Sequence, residues 1–204
     1  MKPSFIAENS IRLNLLFQTH RHQTALIASN VTRSFGEVKE ILCAVLDNLH
    51  DAGVRKGHSV AVHGANSELH LYLFLASWLM DFLYIPLDFK APLSAVLSDT
   101  PVDFLVADYR TKSNEKYIVL HPGRILIACH EADVHSPVFS DQGHNTQCPA
   151  IPFDQEAGVI FTSGSTGKPR GVVHTVGNYV YSALGTNEFI GLDASDRWLL
   201  SLPL

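Results

Sequence analysis

Apolar residues recur at helical spacing between Phe35 and Leu49. Phe35, Val38, Ile41, Leu42, Val45, Leu46 and Leu49 fall on one side of a 3.6-residue helix. Ser34 precedes the run and Glu37 follows three residues later, so hydroxyl and carboxylate can each satisfy a free first-turn amide. Gly53 supplies a stop. Val54 to His58 reads as a turn into a strand, Ser59 to His63. A second helix is expected from about Ser67 to Met80, followed by a strand from Phe82 to Leu87. A third helix near Ala91 to Asp99 precedes a strand from Asp103 to Ala107. Two shorter strands are expected at Tyr117 to Leu120 and Ile125 to Ala128. Strands alternating with helices predict an α/β fold with a mostly parallel sheet flanked by helices. No internal repeat is evident.

His130 to Pro152 is the one long polar break, and it reads as a loop. His130, Asp133, His135 and His144 lie in it, but without the paired spacing of a zinc site; solvated side chains are the simpler reading. His20 and His22, an H-x-H pair, are read the same way. Beyond the break, the apolar run Gly158 to Phe161 and the segment Gly171 to Thr175 read as strands. A helix rich in small residues follows, and Trp198 to Leu204 reads as a strand to be buried.

The chain has 204 residues, enough for one domain with a substantial core. Hydrophobic residues make up 46% and charged ones 17%, as in ordinary globular proteins, and the net charge is -5. The 15 lysines and arginines are scattered, so no basic patch points to nucleic acid. Cys43, Cys129 and Cys148 have no C-x-x-C spacing and leave an odd thiol, which suits reduced cysteines and a cytoplasmic protein. The N-terminus has no continuous apolar signal segment. Leu69 to Leu87 is the one membrane candidate. Asp81 interrupts it at a cost of about 2.5–3.5 kcal/mol at a bilayer centre, and Pro86 breaks it again; a buried helix and a core strand fit better.

Thr162-Ser163-Gly164-Ser165-Thr166-Gly167-Lys168-Pro169-Arg170-Gly171 carries the chemistry. Glycines let a backbone turn its N–H groups inward to form an anion-binding concavity. Hydroxyls add donors, and Lys168 and Arg170 add charge suited to phosphate oxygens. The loop fails the P-loop pattern G-x-x-x-x-G-K-[ST] twice: Thr162 stands at the first glycine, and Pro169 follows the lysine. Pro169 also disfavours an immediate helix, because the residue before a proline leaves the helical region. The loop is therefore expected to join two strands.

Phe161 to Gly171 resembles the signature loop of the adenylate-forming superfamily, [FY]-T-S-G-[ST]-T-G-x-P-K-G. That superfamily contains acyl- and aryl-CoA synthetases, peptide-synthetase adenylation domains and luciferases. Arg170 stands where lysine is commoner; it keeps the charge and changes the donor geometry. His174 to Gly185 followed by Asp196 to Leu204 is similar to the o-succinylbenzoate–CoA ligases of menaquinone biosynthesis. Gly53 to Val60 likewise resembles the superfamily's G-V-x-K-G-D-x-V, with His58 in place of aspartate.

The resemblance implies that a carboxylic acid, ATP and coenzyme A are the substrates, with Mg²⁺ as the metal. It implies that Thr162, Ser163, Gly164, Ser165, Thr166, Gly167 and Lys168 cradle the ATP phosphates, with Thr166 at the Mg²⁺. His174, at the end of the second strand, either faces the bound acid or nucleotide or is a strand histidine bonded to backbone. The resemblance also implies that residues 1–204 are the N-terminal portion of an AMP-binding domain. The acid-pocket, adenine, ribose and C-terminal lysine motifs of the family follow the point matching Leu204. By this reading the chain alone does not complete catalysis, and a non-catalytic nucleotide-binding module is the alternative.

Overall fold

The Ser34 hydroxyl accepts the Glu37 amide at 3.2 Å, and the Glu37 carboxylate accepts the Ser34 amide at 2.7 Å. This expected capping box opens the helix Phe35–Asp51, which buries Val38, Leu42, Val45, Leu46 and Leu49. Ser34→Ala removes the hydroxyl's bonds to the Glu37 amide and carboxylate and is expected to destabilise the protein by about 1 kcal/mol, read from urea unfolding at unchanged m-value. A change within error would show that tertiary packing alone fixes the helix start.

The computed structural model describes residues 3–28, 31–87, 89–90, 92–97, 102–107, 118–122, 125, 149–162 and 170–200. In chain order the elements are β1 (Ser10–Ile11), α1 (Leu13–Thr19), β2 (Thr24–Ala28), β3 (Val31–Ser34), α2 (Phe35–Asp51) and β4 (Ser59–His63). Then come α3 (Glu68–Met80), β5 (Leu83–Leu87), α4 (Leu93–Val96), β6 (Phe104–Val106) and β7 (Ile118–Leu120). The last are β8 (Ile151–Pro152), β9 (Glu156–Thr162), β10 (Arg170–Thr175) and α5 (Val176–Ile190). Six strands form one sheet in the order β10-β9-β5-β4-β6-β7. Every pair in it is parallel except β9 with β10. This is the expected mostly parallel α/β sheet.

Strand alternation splits the core. Val60, Val62, Tyr84, Phe104 and Val106 face a large cluster with α1, α2, α3 and the start of α5. Ala61, Ile85, Leu105 and Val159 face a smaller cluster with Leu93 and Leu97. Strands buried on both faces explain why their sequences are nearly continuous apolar runs.

The turn before β4 is locked to the end of α3. Asp81 closes α3 in the left-handed conformation, at φ 56°. Its carboxylate pairs with Lys56 Nζ at 2.6 Å, and its carbonyl accepts the Gly57 amide at 2.7 Å. His58 packs against Phe104, with ring centroids 5.3 Å apart. The turn and strand expected at Gly53 to Val60 are thus tied to the element that delivers β5.

Four expectations need correction. The third helix starts at Leu93, because Pro92 is extended (ψ 131°). Residues 91, 98 and 99 lie outside the described set. Ile125 is helical rather than the start of a strand: its amide donates to the His121 carbonyl at 3.4 Å, and Asn48 Nδ2 donates to its own carbonyl at 2.9 Å. Residues 126–128 lie outside the described residues. Ile151–Pro152, placed in the polar break, form β8 and pair with β1, with Ile151 buried. Trp198, Leu199 and Leu200 form no strand and are exposed, Leu199 by 83%. A strand is stable only beside a neighbour, and among the described residues none flanks them.

Among the described residues no helix is long and apolar enough to cross a membrane, and no cluster of three His, Cys, Asp or Glu could hold a metal ion. His130, Asp133, His135 and His144 lie outside the described residues.

Candidate functional site at the carboxyl end of the sheet

β9 and β10 form an antiparallel pair whose register runs from Thr162 opposite Arg170 to His174 opposite Gly158. The loop therefore joins two strands, unlike a P-loop. The Thr162 hydroxyl donates to the Arg170 carbonyl at 3.4 Å and closes the mouth of the hairpin. Ser163, Gly164, Ser165, Thr166, Gly167 and Lys168 lie outside the described residues. What is described is their frame: two paired strand ends from which the loop must leave and return.

That frame has little slack. A Cβ on Gly171 would sit 2.8 Å from Val159 Cγ1, and one on Gly158 would sit 2.9 Å from the Tyr179 hydroxyl and 3.2 Å from the Tyr84 carbonyl. Both glycines are positions of close approach, needed so that β10 and α5 can lie against β9. Thr175 caps α5 by accepting the Asn178 amide, and Asn178 Oδ1 accepts the Thr175 amide at 2.9 Å. The chain thus turns from β10 directly into a helix docked on the sheet. A Cβ on Gly177 would meet the Phe153 carbonyl at 2.8 Å, so the first turn of α5 also presses on the segment after β8.

Tyr179 of α5 ties the base of the hairpin to the core. Its ring lies edge-on to Phe74 at 4.8 Å, and 5.7 Å from the His174 ring. Burial raises its phenol pKa, and burial likewise raises that of Tyr84 beneath it. Both therefore remain neutral hydroxyls at physiological pH. His174 stands at the base of the hairpin. Four residues of strand separate it from Arg170, about 13 Å at 3.3 Å per residue. Its ring lies beside that of Tyr179, at the end of the strand away from the loop.

β4, β5, β6 and β9 all run the same way, so Thr162 shares the carboxyl end of the sheet with His63, Leu87 and Val106. In open parallel sheets this end is where ligands bind. The segment that leaves at Thr162 and returns at Arg170 is rich in hydroxyl and glycine residues, a composition that suits a polyphosphate. The sequence profile of the AMP-binding enzyme family matches residues 16–204. The chain belongs to this family.

A 2-succinylbenzoate–CoA ligase of Bacillus subtilis is 29% identical over 184 residues, covering 88% of this chain and 36% of that protein. A feruloyl-CoA synthase of Amycolatopsis is 26% identical, covering 90% and 36%. The solved structure of Bacillus subtilis o-succinylbenzoate–CoA synthetase (MenE) in complex with AMP superposes with a TM-score of 0.78 at 25% identity, covering 97% of this chain and 50% of that one. The same synthetase has been solved with ATP and a magnesium ion. This member of the AMP-binding enzyme family thus spans about a third of the length of these two relatives and half of the solved chain.

Sequence reasoning missed Gly158, Tyr84 and Tyr179 as the support of the loop. Its one usable signal was the glycine at the start of an otherwise apolar strand, which marks a close backbone approach. Tyr84 and Tyr179 are 95 positions apart and meet only through the sheet.

Proposed function

We propose that this chain is the ATP-handling N-terminal portion of an acid–CoA ligase acting on o-succinylbenzoate. One observation carries the reading: a hydroxyl- and glycine-rich loop with two cations is framed by an antiparallel strand pair at the carboxyl end of a parallel sheet, in a member of the AMP-binding enzyme family. The choice of acid is supported by the names of its relatives, with feruloyl-CoA synthase as the neighbouring possibility.

In the proposed reaction a carboxylate oxygen attacks the α-phosphorus of ATP and the bond to pyrophosphate breaks, leaving an acyl-adenylate. The coenzyme A sulfur then attacks the acyl carbon, its thiol proton is lost, and AMP leaves. Amides and hydroxyls from Thr162 to Gly167 would hold the β- and γ-phosphates, and Lys168 would offset their charge before reaction begins. Mg²⁺ would neutralise developing charge on the phosphates. The hydroxyl of Thr166 suits a hard cation as one ligand, with phosphate and water oxygens as the rest. Gly158 and Tyr179 keep the frame of the loop in place.

Acid-dependent exchange of labelled pyrophosphate into ATP tests the reading, measured on a protein that carries this chain within the full length of the matched relatives. It should be fastest with o-succinylbenzoate among a panel of benzoates, cinnamates and fatty acids. Faster exchange with a fatty acid would overturn the choice of acid. In that full-length protein, ATP binding without exchange for any acid would favour the second reading, a nucleotide-binding module.

A further inference from the structure

A second element reaches the carboxyl end of the sheet. The turn from Gly64 to Ser67 leaves β4 and enters α3, two strands from β9 and so about 10 Å across the sheet from the hairpin. His70, in the first turn of α3, is 2% exposed. Its Nδ1 lies 2.7 Å from the Tyr84 hydroxyl on β5, and the Gly64 and Ala65 backbone lies beside the ring, where it favours the charged form against the effect of burial. One buried imidazole therefore fastens this turn to the middle of the sheet. The Tyr84 carbonyl in turn faces Gly158, at the base of the hairpin.

We propose that His70 is a positioning residue: neutral, it clamps the Gly64–Ser67 turn against Tyr84, and protonation releases the turn. The clamp uses the neutral tautomer in which Nδ1 accepts the Tyr84 proton and the other ring nitrogen carries the N–H. An added proton puts charge on a ring that is 2% exposed and reverses its bond to Tyr84, whose hydroxyl is a neutral partner that cannot offset the charge. Among the described residues, none of the groups acting on the ring brings a counter-charge. Tyr84 from β5 and Tyr179 of α5 behind it are neutral phenols. Glu68, on the same helix, is engaged by Arg33 at 3.0 Å and by the Tyr72 hydroxyl at 3.2 Å. Burial, the largest influence, lowers the pKa of His70 below the ordinary imidazole value.

The sign follows by linkage. The opened form takes up a proton near the ordinary histidine pKa of about 6.5, and the clamped form only below it. Clamping is therefore complete above about pH 6.5. Below it, opening grows by up to about tenfold per pH unit until the folded pKa of His70 is reached. The consequence for catalysis rests on the carboxyl end being the ATP site: affinity for ATP would then fall in step with opening.

The test is amide hydrogen exchange across Gly64–Leu69 between pH 7.5 and 5, corrected for intrinsic rates, alongside NMR titration of His70. Wild type should show acid-dependent opening of these amides and a titration below that of an exposed histidine. His70→Asn keeps an accepting oxygen near the Nδ1 position but cannot titrate; it should fold at pH 7.5 and lose the acid dependence. Tyr84→Phe should open the same amides about tenfold or more at pH 7.5. Unchanged acid dependence in His70→Asn, or a His70 that titrates like an exposed imidazole, overturns the proposal. ATP affinity measured over the same range separates the two claims: an absence of ATP binding at every pH would strike the functional reading, while exchange alone decides the clamp.

Discussion

Gly158→Ala is expected to destabilise the protein by about 3 kcal/mol, the upper end of the range for overpacking a core. The new methyl would lie 2.9 Å from the Tyr179 hydroxyl and 3.2 Å from the Tyr84 carbonyl. Neither neighbour can yield cheaply. The carbonyl belongs to β5, paired on both sides within the sheet. The phenol ring is wedged edge-on against Phe74 at 4.8 Å and lies 6.2 Å from Trp78. For a chain of this size the loss corresponds to a fall in Tm of about 6–12 °C. The cause is separable from a general intolerance of β9. Tyr179→Phe removes the oxygen that makes the tighter contact, so Gly158→Ala should cost at least about 1 kcal/mol less in that background. Additive effects in the double mutant would contradict the close-approach account.

Lys168→Ala should weaken ATP binding by about 10- to 100-fold, the range for losing a hydrogen bond to a charged group. The loss should shrink for AMP, which lacks the β- and γ-phosphates, and should fall as ionic strength rises. Lys168→Arg keeps the charge and should lose less. Equal losses for ATP and AMP would place the lysine away from the outer phosphates. Arg170 is exposed at the first position of β10, and its carbonyl accepts the Thr162 hydroxyl at the hairpin mouth, a bond that truncating its side chain leaves in place, so that truncation should have the smaller effect.

The parts of the fold legible in the sequence were those specified by local chemistry. Ser34 and Glu37 announce α2 because a capping box needs only four residues. β4 was read at its full extent, Ser59 to His63, because a strand buried on both faces is an apolar run bounded by a turn. β1, α1 and the β2–β3 hairpin went unread: β1 has only two residues, and β2 pairs with β3 across a register shift. β8 was lost in a polar break because its two residues are fixed by pairing with β1, 140 positions earlier in the chain. Trp198 to Leu200 failed in the opposite sense: strong apolar character predicted burial, but hydrophobicity cannot supply a neighbouring strand.

The candidate site divides along the same line. The loop's composition and its strand-to-strand setting follow from its own residues, since Pro169 rules out the helix that a P-loop would start. The support beneath it does not. Gly158, Tyr84, Tyr179 and His70 come from β9, β5, α5 and α3 and meet only in the folded sheet.

The central claim is that the hairpin between Thr162 and Gly171 receives the polyphosphate of ATP. Backbone amide chemical shifts, followed while the protein is titrated separately with ATP and AMP in the presence of magnesium, test it most directly. The account predicts that the largest shifts fall between Thr162 and Gly171, and that ATP moves them more, and at lower concentration, than AMP. Shifts concentrated elsewhere on the sheet, or identical responses to the two nucleotides, would contradict it.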